Sequence, residues 1–228
     1  MALRPPARAP SGAGPGAAAP LDLRICGVCG ERNPPALAEG DPPRLRCARC
    51  GAERTFVRST LLCLTGASGA GKSTVAATVG AELADRIVTL EQDVLWSPEL
   101  ADMPGGMVGF RARWLRLAAM IAQHGRPVLL CGTVVPAELE PLPERCLFGE
   151  IRYLALTAPP AVLRARLRAR PVWRGWDEAR IAEMIDFADR LRREGPSWEP
   201  ALTLVDTSDR SVHEVAEIVR AWVLAAMR

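Results

Sequence analysis

The feature that most constrains the fold is a glycine-rich stretch at residues 66–73, which reads Gly-Ala-Ser-Gly-Ala-Gly-Lys-Ser. It follows an apolar run, Leu61–Thr65, and leads into a helix-like stretch, Thr74–Asp85. This is the strand–loop–helix context of the G-x-x-x-x-G-K-S phosphate-binding loop, or P-loop. In such a loop the glycines let backbone N–H groups wrap a phosphate chain, and the helix N-terminus adds a positive dipole end.

The lysine of this loop has no counterpart elsewhere in the chain. Lys72 is the only lysine, and every other member of the 29 Lys+Arg is arginine. A compact ammonium suits this position, whereas a planar guanidinium does not. We predict that Lys72 contacts the β- and γ-phosphates of ATP and that the Ser73 hydroxyl holds Mg²⁺. The predicted cofactor-binding residues of the loop are Gly66, Ala67, Ser68, Gly69, Ala70, Gly71, Lys72, Ser73 and Thr74.

Length and composition limit the other possibilities. The 228 residues suit one domain with an appendage, or two small domains. A net charge of +3 is too small to argue for a nucleic-acid partner by itself, and no apolar run is long enough to cross a membrane. Residues 1–20 are rich in Ala, Pro and Gly and have no signal-peptide apolar region, so they are expected to be a disordered tail. We therefore expect a cytoplasmic protein, and the Arg, Ala and Pro bias suggests a GC-rich, bacterial genome.

Residues 21–58 are predicted to form a small zinc-ribbon-like domain. Two C-x₂-C pairs, Cys26/Cys29 and Cys47/Cys50, enclose residues 30–46, which is a zinc-binding spacing. Four thiolates complete a tetrahedral site, so the predicted Zn²⁺ is structural. A glycine follows each pair and suits a turn whose N–H groups point at sulfur. The surplus of arginines in this segment leaves nucleic acid or an acidic protein open as a partner, although a docking or stabilising module is the preferred interpretation.

Residues 59–228 alternate apolar strands with helices, which predicts a parallel sheet covered by helices on both faces. Five strands are expected, at 60–65, 87–90, 127–131, 151–156 and 202–205, with intervening helices at about 107–124, 160–168, 177–194 and 212–227. Ligands of such sheets bind at the carboxyl ends of the strands, so the residues after each strand are the candidates for the site.

The second strand ends in two acids. Asp93 is a candidate to accept the proton of an acceptor hydroxyl or to hold a water on Mg²⁺. Glu91 lies two residues earlier and points to the same face if the strand continues. It is a candidate substrate ligand or aid to the metal. A pair of solvated turn acids is the structural alternative.

Arginines form two further candidate groups. Arg113 and Arg116 share a face of the helix at 107–124, where they either clamp an anionic acceptor or face solvent. Residues 164–174 carry five arginines with no acid between Glu150 and Asp177, which indicates a lid that closes over triphosphate. Arg170 and Arg174 are the predicted catalytic arginines of this lid. Asp206 and Thr207 follow the fifth strand, where they either flank the nucleotide base or form a turn before the last helix.

Taken together, these residues resemble the P-loop kinases of the nucleoside/nucleotide-kinase-like group, which includes gluconate and shikimate kinases. The resemblance covers residues 60–228 and depends on the GASGAGKST loop, Asp93, the arginine-rich lid and the Asp206–Ser208 turn. It implies a P-loop NTPase three-layer sandwich with strand order 2-3-1-4-5, Mg·ATP as donor and in-line transfer to a small acceptor. The chain departs from nucleoside monophosphate kinases after strand three, where Cys131-Gly132-Thr133 replaces their Asp-Gly pair.

Other nucleotide-binding classes fit less well. GTPases read guanine with N-K-x-D, which is impossible here because the only asparagine is Asn33 and the only lysine is Lys72. The L-S-G-G-Q signature of ABC ATPases is absent. The sequence therefore predicts an ATP-dependent phosphotransferase for a small-molecule acceptor. The alternative is an ATP-driven switch whose zinc ribbon engages nucleic acid or a protein.

Overall fold

The computed structural model describes residues 21–38, 40–101 and 105–227. The tail predicted at 1–20 lies outside the described residues. Contacts divide the chain into two compact units on either side of the Val57–Arg58 bond.

The N-terminal unit is a three-stranded antiparallel sheet of very short strands. These are β1 (Leu37–Ala38), β2 (Arg44–Arg46) and β3 (Glu53–Thr55), in the order β1-β2-β3. Among its described residues the buried apolar side chains are Leu45, Cys47 and Phe56. So few buried side chains cannot stabilise a fold by burial alone, and a cross-link or metal is needed.

The C-terminal unit contains the predicted parallel sheet. Its strands are β4 (Leu61–Gly66), β5 (Val88–Glu91), β6 (Val128–Cys131), β7 (Ile151–Thr157) and β8 (Leu202–Asp206), in the order β5-β6-β4-β7-β8. Counted within the unit, this order is 2-3-1-4-5, as the kinase resemblance implies. Neighbouring strands pair in parallel, for example Leu64 with Cys131 and with Leu154.

Helices follow the strands along the chain. They are α1 (Lys72–Glu82), α2 (Gly106–Ala122), the short α3 (Pro136–Leu139), α4 (Pro160–Arg168), α5 (Glu178–Glu194) and α6 (Val212–Ala226). None of the described helices is long and apolar enough to cross a membrane.

Alternate residues of the strands divide the core into two layers, because successive side chains point to opposite faces. One face packs against α1, α4, α5 and α6, and its buried strand residues are Leu62, Leu64, Leu129, Cys131, Leu154, Leu156 and Val205. Helix α2 packs against β6 with buried residues that do not belong to that cluster, such as Trp114 and Leu115. The predicted three-layer sandwich is therefore present.

The main local difference from the predicted pattern lies in the segment 133–148, between the third and fourth predicted strands, where no helix is predicted. It contains α3 and a 3-10 helix, Pro143–Leu147. A proline begins each element, where its missing N–H costs nothing. The Glu138 carboxylate also accepts the Val135 N–H at 3.1 Å, which supports the start of α3.

Candidate functional site

The P-loop joins the end of β4 to the start of α1, at the centre of the sheet. Gly66 has φ +131°, and a Cβ built there would lie 2.3 Å from the carbonyl oxygen of Leu156 on β7. Only glycine allows the loop to leave the strand this close to its neighbour. The loop is therefore fixed at the carboxyl edge of the sheet, where ligands of this architecture bind.

The start of α1 has no capping side chain. Its N-cap residue is Gly71, with φ 97° and no side-chain hydrogen bond to the helix. The first-turn N–H groups of a helix have no partner within the helix and carry its positive dipole end. Ser73 and Thr74 in this turn are exposed. The turn thus has the chemistry of a phosphate-binding site.

Lys72 folds back over the loop that precedes it. Its amine donates to the carbonyl oxygens of Gly66 at 2.9 Å and Ala67 at 3.1 Å. Burial of the amine lowers the pKa of Lys72, while Cys131, Asp93 and Glu91 act in the opposite direction. Both candidate carboxylates therefore interact electrostatically with the P-loop lysine.

Cys131 ends β6 beside these groups. Burial and the adjacent Glu91 carboxylate raise the pKa of the Cys131 thiol. The protonated thiol donates to Glu91 Oε2 at 3.3 Å, and the Ser73 hydroxyl contacts the same thiol. Since Glu91 pairs in register with Cys131, a carboxylate from β5 lies close to Ser73 of the P-loop, and β6 itself ends in a thiol.

Asp93 lies two residues after Glu91, in a 3-10 helix, Gln92–Leu95, that follows β5. Its side chain is exposed. It also interacts with Arg170, whose guanidinium is half-buried. Burial and the neighbouring Arg174 lower the pKa of Arg170, and Asp93 opposes this shift. The structure thus brings Lys72, Glu91, Asp93 and Arg170 together.

The five arginines of 164–174 divide into three groups with different partners. Arg164 and Arg168 contact Glu178 at the start of α5, at 3.2 and 2.7 Å. Arg170 stacks on Trp176, and Arg174 stacks on Trp173, which is 79 % exposed. Part of the charge that suggested a lid is therefore neutralised by Glu178, and Arg170 is the arginine of the group that interacts with Asp93.

Arg166 joins the P-loop to the turn after β8. Its guanidinium donates to the Gly69 carbonyl oxygen at 3.3 Å, and to the hydroxyl and carbonyl oxygens of Thr207, each at 3.1 Å. Asp206 accepts from the Ser208 N–H at 2.8 Å, and the Ser208 hydroxyl lowers the pKa of Asp206. The Asp206 carboxylate thus stabilises the turn after β8, whereas Thr207 is bound by Arg166, which also contacts the P-loop.

Sequence reasoning missed the group that holds the loop after β6. Arg111 is buried and donates to the Thr133 carbonyl oxygen at 2.7 Å and to the Glu138 carboxylate at 3.0 Å. The Thr133 hydroxyl in turn donates to the Gly66 carbonyl oxygen at 3.3 Å. The available signal was an arginine on the apolar face of α2, flanked by Phe110 and Ala112.

The predicted arginine clamp on α2 is not formed as a pair. Arg116 is bound to the buried carboxylate of Glu144 at 2.5 Å, so its charge is already satisfied within the fold. Arg113 is half-buried and has no hydrogen-bond or ion-pair partner within the described part of the chain. The acceptor-binding role stays a prediction for both arginines, and Arg113 is the one whose charge has no partner among the described residues.

The four cysteines of the N-terminal unit form one cluster. Their Sγ atoms lie within 4.8 Å of one another, and the pairs Cys26–Cys50 and Cys29–Cys47 are each 3.7 Å apart. A tetrahedral Zn²⁺ with bonds of about 2.3 Å requires sulfurs about 3.8 Å apart, so the cluster fits this ion.

The turns around this cluster point backbone N–H groups at sulfur, as expected, although the glycines' own N–H groups do not. The glycines after the two pairs, Gly30 and Gly51, both have φ 71° and donate to the carbonyl oxygens of Cys26 and Cys47, not to sulfur. The Cys26 sulfur instead accepts from the Val28 N–H at 3.4 Å. Hydrogen bonding by the Cys50 backbone lowers the pKa of Cys47 to about 6, which favours the thiolate that metals bind.

Asn33, the only asparagine in the chain, supports the cluster. Its Oδ1 accepts the Ala48 N–H at 2.9 Å, and its Nδ2 lies 3.9 Å from Cys47 Sγ. Several arginines of this unit are paired with acids of the same unit, which are Asp22, Glu31 and Glu53. This pairing reduces the basic surface that left nucleic acid open as a partner.

Comparisons with known proteins agree with this geometry. Residues 61–191 match the profile of a family described as "AAA domain", and the chain belongs to this family. A search of curated protein sequences finds none that matches the chain.

Two solved structures share the fold at low sequence identity. An unliganded sugar kinase from Janibacter sp. HTCC2649 matches with TM-score 0.56 and 16 % identity, over 72 % of this chain and 94 % of that one. A gluconokinase from Sinorhizobium meliloti 1021 matches with TM-score 0.54 and 16 % identity, over 74 % and 93 %. The expected fold of the P-loop kinases is thus confirmed.

Proposed function

We propose that this protein transfers the γ-phosphoryl group of Mg·ATP to a small acceptor that carries a hydroxyl or phosphate group. The observation that carries the proposal is the convergence of Lys72, two carboxylates and a half-buried arginine at one P-loop. Beside the lysine, Asp93 and Arg170 provide a carboxylate that can accept the acceptor's proton and a cation that can stabilise developing charge.

The phosphate chain is assigned to the P-loop and the first turn of α1. The uncapped N–H groups would bind phosphate oxygens, and Lys72 would exchange the carbonyls of Gly66 and Ala67 for the β- and γ-phosphates. Mg²⁺, when bound, supplies charge neutralisation at these phosphates. Ser73 is the residue that would hold it, and Glu91 would assist from the same side because it shares the Cys131 thiol with Ser73.

Asp93 is assigned the acceptor side. It is exposed just after β5, it interacts electrostatically with Lys72 and Arg170, and its carboxylate has no hydrogen bond or ion pair within the described chain. A carboxylate there can take the proton of an attacking hydroxyl, or position that hydroxyl for in-line attack. Arg113, which is free of protein partners in the described residues, is the remaining candidate for an anionic group on the acceptor.

We assign to Arg170 the stabilisation of the negative charge that develops on the transferred phosphoryl group. Arg174 is its neighbour in the lid. A cation that approaches the γ-phosphate stabilises the transition state more than the ground state. The stacking of both arginines on tryptophans suits a segment that can release them toward a phosphate. Arg166 and Thr207 support the loop instead.

The test is a transfer assay with the full-length protein. Mg·ATP is mixed with a panel of nucleosides, nucleoside monophosphates, sugars and hydroxy acids, and products are searched by mass for one added phosphoryl group. Lys72→Ala should abolish the product. Asp93→Asn should lower kcat about 10²- to 10⁴-fold, as expected for loss of a general base.

Matched substitutions separate these roles from general damage. Asp209→Asn removes an equally exposed carboxylate after β8 and should leave the rate unchanged. Arg168→Ala, whose side chain contacts Glu178, is the control for Arg170→Ala. Release of ADP without any phosphorylated acceptor would count against the proposal and favour an ATP-driven switch.

A further inference from the structure

A second cluster of metal-ligating side chains lies far from the cysteines in sequence, where α1 packs against α6. Glu82 is the last residue of α1, and His213 and Glu217 lie four residues apart on α6. One ligand atom from each of these three side chains lies within 4.8 Å of the other two. Residues four apart on a helix share a face, so α6 presents an imidazole and a carboxylate together to a third ligand from α1.

The position of His213 is fixed by the way α6 begins. Ser211 caps the helix, and the Glu214 carboxylate returns to the Ser211 N–H and hydroxyl, each at 2.7 Å. That hydrogen bonding occupies the one acid adjacent to His213. The imidazole is therefore held in the first turn of a regular helix, while Glu217 remains directed toward α1.

This cluster already attracts positive charge. The Arg220 guanidinium contacts Glu217 at 2.6 Å through Nη2, and its Nε lies 3.1 Å from Glu217 and 3.7 Å from Glu82. Two carboxylates this close repel each other unless a cation lies between them.

Arg220 pairs with the two acids, and the His213 imidazole makes no hydrogen bond within the described part of the chain. A divalent metal ion can use all three groups at once. One imidazole nitrogen and two carboxylate oxygens form a three-ligand set for Zn²⁺, with water as the fourth ligand. The positive end of the α6 dipole opposes a cation, but its fractional charge is smaller than that of two carboxylates.

We propose that Glu82, His213 and Glu217 form a second metal site, for Zn²⁺ or a similar borderline ion such as Ni²⁺ or Co²⁺, for which Arg220 is the competing cation. The site is distinct from the cysteine cluster and does not depend on the phosphotransfer proposed above. When occupied, it links the end of α1, the helix that begins at Lys72, to the first turns of α6. Metal binding should therefore raise the melting temperature of the C-terminal unit.

The test is calorimetric titration of the full-length protein with Zn²⁺ near neutral pH, after purification with zinc so that the cysteine cluster is loaded first. Wild type should bind a further equivalent. His213→Ala should weaken this binding at least about tenfold, since even outer-shell changes at metal sites cost that much. The matched control is His124→Ala, which removes the other histidine, an exposed residue after α2, and should change nothing.

Arg220→Gln separates a metal site from a simple ion-pair cluster. If Arg220 competes with the metal, its removal should tighten Zn²⁺ binding several-fold. All of these side chains are exposed or half-buried, so the variants should fold, which circular dichroism checks. The proposal is overturned if no further equivalent binds, if His213→Ala and His124→Ala behave alike, or if Arg220→Gln weakens binding.

Discussion

The two units of this chain are stabilised in different ways. The N-terminal unit has strands of two or three residues and, among its described residues, three buried apolar side chains around a four-cysteine cluster. The C-terminal unit buries whole strands, with Leu61, Leu62 and Leu64 of β4 fully inaccessible to solvent. The first buries too little apolar surface to be stable without a cross-link such as a metal ion held by the four thiols, whereas removal of apolar surface from water stabilises the second.

This difference has a consequence for function. A unit that depends on metal–thiolate bonds can be lost by chelation or oxidation while its neighbour remains folded. The proposed phosphotransfer residues all belong to the second unit, from Gly66 to Thr207. The two units should therefore respond to different perturbations.

The largest expected effect is the loss of the N-terminal fold when zinc is removed. Structural zinc contributes about 10–16 kcal/mol of apparent binding free energy at neutral pH. A strong chelator, or Cys29→Ser, should therefore unfold residues 21–57 and leave 58–228 unchanged. Hydrogen–deuterium exchange measured along the chain distinguishes the two units.

A cysteine outside the cluster provides the control. Cys146→Ser changes a half-buried thiol in the C-terminal unit and should keep the slow exchange of 21–57. If chelation exposed both units together, the idea of independent stabilisation would be wrong.

The features that could be predicted from the sequence are those formed by residues that are close together along the chain. The C-x₂-C pairs and the P-loop are of this kind, because each forms a turn whose residues meet whatever the rest of the chain does. The alternation of apolar strands with helices likewise predicted the sheet. Its order came from the resemblance to P-loop kinases, because periodicity does not say which strands become neighbours.

The missed features depend on partners far apart in sequence. Arg116 was assigned to an acceptor, but its partner Glu144 lies on the 3-10 helix that packs against α2. Arg166 was grouped with the lid, yet it bonds to Gly69 and Thr207. The positions of arginines in the sequence show where positive charge is available. Only tertiary packing decides which carboxylate or carbonyl oxygen each arginine binds.

The next largest effect is expected from the core of the C-terminal unit. Leu154 on β7 is fully buried in the main apolar cluster, so Leu154→Ala should cost about 2–5 kcal/mol of unfolding free energy. Urea denaturation followed by tryptophan fluorescence measures it, since tryptophans occur only in this unit. Ile218→Ala, at a 36 % exposed position on α6, should cost much less. Equal losses would mean that burial is not what stabilises this unit.

A smaller effect is expected from the ion pair between Arg116 and the buried Glu144. Arg116→Met leaves the Glu144 carboxylate buried without a partner, and a cost of about 2–3 kcal/mol is expected, since Arg116 is partly exposed. The double variant Arg116→Met/Glu144→Leu should recover most of this stability, because it removes both charges. If the single variant instead kept its stability and raised KM for the acceptor, Arg116 would be a substrate ligand after all.

The smallest expected effect on the stability of the C-terminal unit comes from removing the N-terminal cap of α6. Ser211 Oγ accepts the Glu214 N–H at 3.3 Å, and Ser211→Ala should cost about 1 kcal/mol, whereas Ser211→Gly should cost only a few tenths. Both losses should appear in the denaturation of the C-terminal unit and leave exchange at 21–57 untouched. Because the same cap positions His213, Ser211→Ala should also weaken the proposed second metal site. A loss of stability without any change in Zn²⁺ affinity would show that the imidazole does not depend on the cap.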